Sequence, residues 1–136
     1  LSFLIDTNVV SELGRKNPDR HVVAWANSIG AAELYLSVLT LGEIAKGAAS
    51  LARRDAVRGA ALSRWLEGLR LQYAGRIIAV DGEIAEAWGR LATGRSIPVI
   101  DTLLAATALV RGMTFVTRNV RDVGGASITL LNPWNA

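Results

Sequence analysis

Phe3-Leu4-Ile5-Asp6-Thr7-Asn8 is the stretch that decides the fold. An apolar run with no polar alternation predicts a strand buried on both faces, as inside a parallel sheet. The run stops at a carboxylate followed by two small polar residues, which places Asp6 at the carboxyl end of a central strand. Ligands bind along that edge in open α/β sheets, so the acid has a binding reading beside the ordinary one of capping the next helix.

Outward from this strand, the pattern alternates helices with strands. Val9 to Leu13 reads as a short helix broken at Gly14, and Asp19 as the cap of a helix running to about Ser28. Leu34 to Val38 is the second strand. Thr40 is placed as the N-cap of the following helix, with Gly42, Glu43 and Ile44 in its first turn. Gly47 inside that helix costs about 1 kcal/mol against Ala, which predicts close packing or a kink there. Arg53 to Tyr73 carries Leu62, Trp65, Leu66, Leu69 and Tyr73 at helical spacing, the second limb of a helical hairpin arm. Arg76 to Val80 is the third strand, followed by a helix capped by Asp81. Asp101 is read as opening an apolar helix that runs from Thr102 to Val110. Thr114 to Thr117 is the fourth strand, Arg118 to Gly125 a loop, and Ile128 to Leu131 the fifth strand. The expected fold is therefore α/β, with a central parallel sheet of about five strands between helical layers, in one domain over residues 1–136.

Composition narrows the class further. Half of the residues are apolar, yet no uncharged run approaches the roughly 18 residues of a membrane span. The start lacks the basic flank of a signal peptide and, without Met, reads as trimmed, so a soluble, cytoplasmic protein is expected. The absence of cysteine excludes disulfides and thiolate metal sites. Thirteen of the fifteen cations are Arg, which suits phosphate contacts and equally suits a GC-rich genome.

Four acids fall at similar places in this pattern. Asp6 ends the first strand, Glu43 lies early in the helix after the second, Asp101 starts a helix, and Asp122 lies in the loop after the fourth strand. In a parallel sheet these junctions open on one edge. Acids gathered there repel one another unless a cation neutralises them, and oxygen donors without Cys point to a hard ion, Mg²⁺ or Mn²⁺. Such sites perform phosphoryl chemistry with metal-activated water. Each acid also has a plain structural reading: capping for Asp6 and Asp101, a capping box Thr40-x-x-Glu43, and an Asx turn at Asp122 ahead of Gly124-Gly125.

On these residues the chain resembles the PIN-domain ribonucleases, and within them the VapC and FitB toxins of bacterial toxin–antitoxin pairs. The carriers are Leu4-Ile5-Asp6-Thr7-Asn8, Thr40-x-x-Glu43-Ile44-x-x-Gly47, Asp101 to Ala108, Thr117-Arg118-Asn119-Val120-Arg121-Asp122 and the ending Leu131-Asn132-Pro133-Trp134. The resemblance covers nearly the whole chain and implies a PIN-like three-layer α/β/α fold. It implies that Asp6, Glu43, Asp101 and Asp122 line a Mg²⁺ site, with Asn8, Thr117 and Asn119 positioning water or supporting the carboxylates. It further implies cleavage of structured RNA, transfer or ribosomal, and inhibition by an antitoxin whose tail enters the acidic groove. Homodimers, and operator DNA bound only through the antitoxin, are implied as well. Val123 departs from the family, standing where an aromatic is common.

Arg118 and Arg121 flank the last motif and are candidate RNA phosphate contacts, or simply solvated. Two other readings stand beside the nuclease. A phosphatase of the haloacid-dehalogenase type wants a second Asp where Asn8 stands. A non-catalytic partner for an antitoxin or nucleic acid would use the same fold without cleaving RNA.

Overall fold

In the computed structural model, the backbone is described for residues 1–123 and 127–136, and the side chains for 1–121 and 127–136. The expected α/β architecture is present. Strands β1 (Phe3–Ile5), β2 (Leu34–Ser37), β3 (Ile77–Ile78), β4 (Thr114–Val116) and β5 (Leu130–Leu131) form one parallel sheet in the order β3-β2-β1-β4-β5. The chain builds outward from β1 through β2 to β3, then returns to the other side of β1 as β4. The order reverses between β1 and β4, and a crevice opens beyond the carboxyl ends of such a pair. Asp6 follows β1 and Thr117 follows β4, so both stand at that crevice.

Side-chain alternation in β1 divides the core. Phe3 and Ile5 face one layer with Val22, Trp25, Leu69 and Tyr73, and Phe3 meets the Trp25 ring edge-on at 5.5 Å. Leu4 faces the other layer with Phe115, Leu104, Ala105 and Ala108. Leu4 and Ile5 are fully buried, each worth about 1.5–3 kcal/mol of transfer free energy. The helices that supply these layers are α1 (Thr7–Leu13), α2 (Arg20–Ile29), α4 (Ala56–Gln72) and α6 (Val99–Arg111), with α5 (Gly82–Ala92) packed on α6 through Ile84, Ala87 and Ala106. No helix among the described residues is long and apolar enough to cross a membrane.

The helical hairpin arm is α3 (Val38–Ala52) against α4. The close approach expected at Gly47 is not there, since a Cβ on Gly47 would meet only Leu62, at 3.9 Å. It occurs at Gly59, where a Cβ would lie 2.5–2.7 Å from Ala52, backbone included. Among the starts that differ from the sequence expectation, two bear on the site. α3 begins at Val38, capped by the Ser37 hydroxyl accepting from Leu39 N–H at 3.0 Å, so Thr40 is its third residue rather than its cap. α6 begins at Val99 behind Pro98, so Asp101 lies inside the first turn rather than opening it. Pro98 is the N-cap residue and offers no side-chain cap; its carbonyl accepts from Thr102 N–H at 3.1 Å and from the Thr102 hydroxyl at 2.9 Å.

The arm predicts a contrast between two glycines of one helix. Gly59→Ala forces α3 and α4 apart and should destabilise the protein by about 1–3 kcal/mol. Gly68→Ala adds a methyl to open space and should stabilise by up to about 1 kcal/mol, both read from urea unfolding midpoints.

Candidate active site

The site begins with Asp6, which is only 5% exposed. It caps α1, and its two carboxylate oxygens have separate partners. Oδ1 accepts from Thr7 N–H at 2.7 Å, and Oδ2 accepts from the Thr117 hydroxyl at 2.7 Å. The Asn119 N–H in turn donates to Thr117 Oγ1 at 3.0 Å, which orients that hydroxyl toward Asp6. Register makes this possible: Ile5 pairs with Val116, so the residues that follow leave the sheet side by side.

Glu43 comes from the second turn of α3, and its Oε1 accepts the Thr7 hydroxyl. The capping-box reading of Thr40 and Glu43 is therefore excluded, because the cap is Ser37 and Glu43 bonds across to α1 instead. Neither Asp6 nor Glu43 is paired with a Lys, Arg or His among the described residues. Burial pushes the Asp6 carboxyl above its ordinary value of 3.8. The Thr117 hydroxyl and Thr7 N–H pull it back, while the charges of Asp101 and Glu43 push it further up. Three of the four acids read from the sequence thus share one electrostatic neighbourhood.

The fourth, Asp122, lies in a short helical turn, α7 (Val120–Val123), rather than in a loop. Its side chain, the Gly124-Gly125 segment and the side chain of Val123 lie outside the described residues. Asn8 has a buried side-chain oxygen that accepts no hydrogen bond among the described residues. Arg121 is exposed. Arg118 is exposed too, but its guanidinium lies over the Trp134 ring, 4.6 Å from the centroid, so it is held rather than freely solvated. Thr7 was missed as a positioning group. The only available signal was its place beside Asp6, because its partner Glu43 is 36 residues away.

The donor set suits a hard cation. Among the described residues no three Asp, Glu or His side chains close into a ready-made cage. Mg²⁺ does not need one, since it keeps several waters and takes one or two carboxylates together with substrate phosphates. An acid whose ionisation is opposed by burial and by two neighbouring carboxylates, with an orphaned amide oxygen two residues on, matches that requirement. Beside Glu43 a groove of about 580 Å³ runs between α3 and α6, lined by Val38, Leu39, Gly42, Lys46, Gly47 and Ile100.

A PIN-domain family model matches residues 3–121. Toxin FitB of Neisseria gonorrhoeae is 31% identical over 98% of this chain and 99% of its own. The VapC ribonuclease Y4jK of Sinorhizobium fredii is 33% identical over 97% of each. The structure of FitAB bound to an IR36 DNA fragment superposes with a TM-score of 0.85 at 33% identity, covering 97% of this chain and 95% of that one.

The burial of Asp6 carries a prediction for protein freed of metal by EDTA. A raised folded-state pKa means that the charged carboxylate costs stability at neutral pH. That cost is relieved as pH falls through the raised pKa, and the relief is complete below 3.8. Asp6→Asn keeps an acceptor for Thr7 N–H and removes the charge. Its amide N–H donates to Thr117 Oγ1 in place of the bond that hydroxyl gave, so the substitution should raise the melting temperature at pH 7 by a few degrees, and the gain over wild type should shrink on acidification.

Proposed function

The chain belongs to the PIN-domain family, on its VapC/FitB-like toxin branch, and from that premise we propose that it is the toxin of a toxin–antitoxin pair and a Mg²⁺-dependent endoribonuclease. Mn²⁺ substitutes in this reading, and the substrate is structured RNA, transfer or ribosomal. The observation that carries it is the buried, charge-opposed Asp6 at the β1/β4 crevice, facing Glu43 and Asp101 with no cation paired to Asp6 or Glu43 among the described residues.

Asp6, Glu43, Asp101 and Asp122 are the residues that would hold the ion. When bound, it supplies Lewis acidity at a phosphoryl oxygen and makes water nucleophilic near neutral pH. Thr117, locked by Asn119 N–H, keeps one Asp6 oxygen turned into the strand end and leaves the carboxylate plane fixed. Asn8 keeps a buried oxygen without a hydrogen-bond donor among the described residues, an acceptor for an ordered water beside the carboxylates. Arg118 stands immediately after Thr117 with its guanidinium edge available to a phosphate while Trp134 supports its face.

The partners follow the same reading: a cognate antitoxin, whose tail reaches the acids at the strand ends, a second copy of the chain, and operator DNA reached only through the antitoxin. The cytoplasm, where structured RNA is found, is the compartment. A non-catalytic binding partner is the second reading.

Two experiments test these roles. Antitoxin-free protein with Mg²⁺ should cut total cellular RNA into discrete fragments. EDTA should abolish them, and Asp6→Asn and Asp101→Asn should each lower the rate by about 10²-fold or more. RNA left intact under Mg²⁺ and Mn²⁺ would put the binding-partner reading first. Arg118→Ala should raise KM with little change in kcat, and should lower the salt dependence of RNA binding by roughly one counterion.

A further inference from the structure

Thr7 holds two carboxylates at once. Its N–H donates to Asp6 Oδ1 at 2.7 Å, and its hydroxyl donates to Glu43 Oε1. The same hydroxyl oxygen lies 3.1 Å from Thr40 Oγ1, and Thr40 is fully buried. One hydroxyl carries one proton, and an ionised carboxylate can only accept. The Thr7 proton therefore goes to Glu43, and the proton bridging the two threonines is Thr40's. Thr40 is the third residue of α3, which Ser37 caps. The result is a directed chain, Thr40 to Thr7 to Glu43, in which each bond fixes the direction of the next.

We propose that Thr7 is a positioning residue that sets the spacing between Asp6 and Glu43, with Thr40 aiming its hydroxyl, and that this spacing selects a small divalent cation. The inference rests on the reading of Asp6 and Glu43 as metal carboxylates. It goes beyond that reading because it assigns the selectivity to residues that are not ligands. Asp6 stands at the end of β1 and Glu43 on α3, and Thr7 bonds to both. Mg²⁺ demands short, near-octahedral oxygen contacts, whereas Ca²⁺ accepts longer and more variable ones. Loosening the grip should therefore weaken Mg²⁺ more than Ca²⁺. Removing hydrogen-bond partners behind metal ligands typically costs about 10–100-fold in affinity.

The test uses the full chain without RNA. Binding of Mn²⁺ is followed by the electron paramagnetic resonance of the free ion and competed with Mg²⁺ or Ca²⁺, and melting curves check the fold. Thr7→Val should lose about 10–100-fold in Mg²⁺ affinity and clearly less in Ca²⁺ affinity, so that the Mg²⁺ preference narrows. Thr7→Ser, which keeps the hydroxyl, should restore both, and Thr40→Val should shift the preference in the same direction. Unchanged Mg²⁺ affinity in Thr7→Val, or equal losses for both ions that Ser does not rescue, overturns the proposal while leaving the nuclease reading intact. Wild-type protein that binds none of these ions overturns the metal reading and this inference with it.

Discussion

The interaction on which the rest depends is the Thr117 hydroxyl donating to Asp6 across the β1/β4 boundary, at 2.7 Å between residues 111 positions apart. It joins the first strand to the fourth where the strand order reverses. A buried carboxylate with one unsatisfied oxygen would be costly, by roughly 1–3 kcal/mol or more for a charged group. Here both oxygens are engaged and the charge still stands opposed by burial and by two acids. The same bond therefore keeps an unfavourable charge in place and gives it a defined orientation.

The site is built from short polar side chains around that charge. Thr117 is oriented by Asn119 N–H, Thr7 by its place at the start of α1, and Thr40 by its burial in the first turn of α3. Hydroxyls suit the task because they donate to a carboxylate without neutralising it, as an Arg or Lys would. No Lys, Arg or His is ion-paired with Asp6 or Glu43 among the described residues, and Arg118 lies on Trp134. Trp134 itself packs on the core, and its backbone N–H donates to Asn132 Oδ1 at 3.0 Å, so the end of the chain supports the rim of the site.

The hairpin arm sets where Glu43 stands. α3 leaves β2 directly after the Ser37 cap, and α4 lies close enough at Gly59 that no side chain fits between it and Ala52. Arg76 closes the far side of this unit. Its guanidinium donates to the carbonyls of Gln72 at 2.8 Å, Ala31 at 2.6 Å and Leu34, and lies 4.9 Å from the Tyr73 ring centroid. The arm, β2 and β3 are thereby tied together, and the α3 turn carrying Glu43 is held against α1.

The sequence by itself determined the layers and the acids. An unbroken apolar run ending at Asp6 specifies a central parallel strand, alternation of helical and strand periods specifies the sheet, and acids at the strand-to-helix junctions without any cysteine raise the expectation of a hard cation. These are local signals, carried by residues a few positions apart. Helix starts were less legible: Thr40 and Asp101 resemble caps as well as Ser37 and Pro98 do, and packing chose between them. Only the tertiary structure decided that Thr7 bonds Glu43, that Thr117 bonds Asp6, that Arg118 lies on Trp134 and that the tight contact of the arm is at Gly59 rather than Gly47. Such contacts join residues from different elements, and no periodicity along a chain encodes which hydroxyl will face which carboxylate once the sheet has closed.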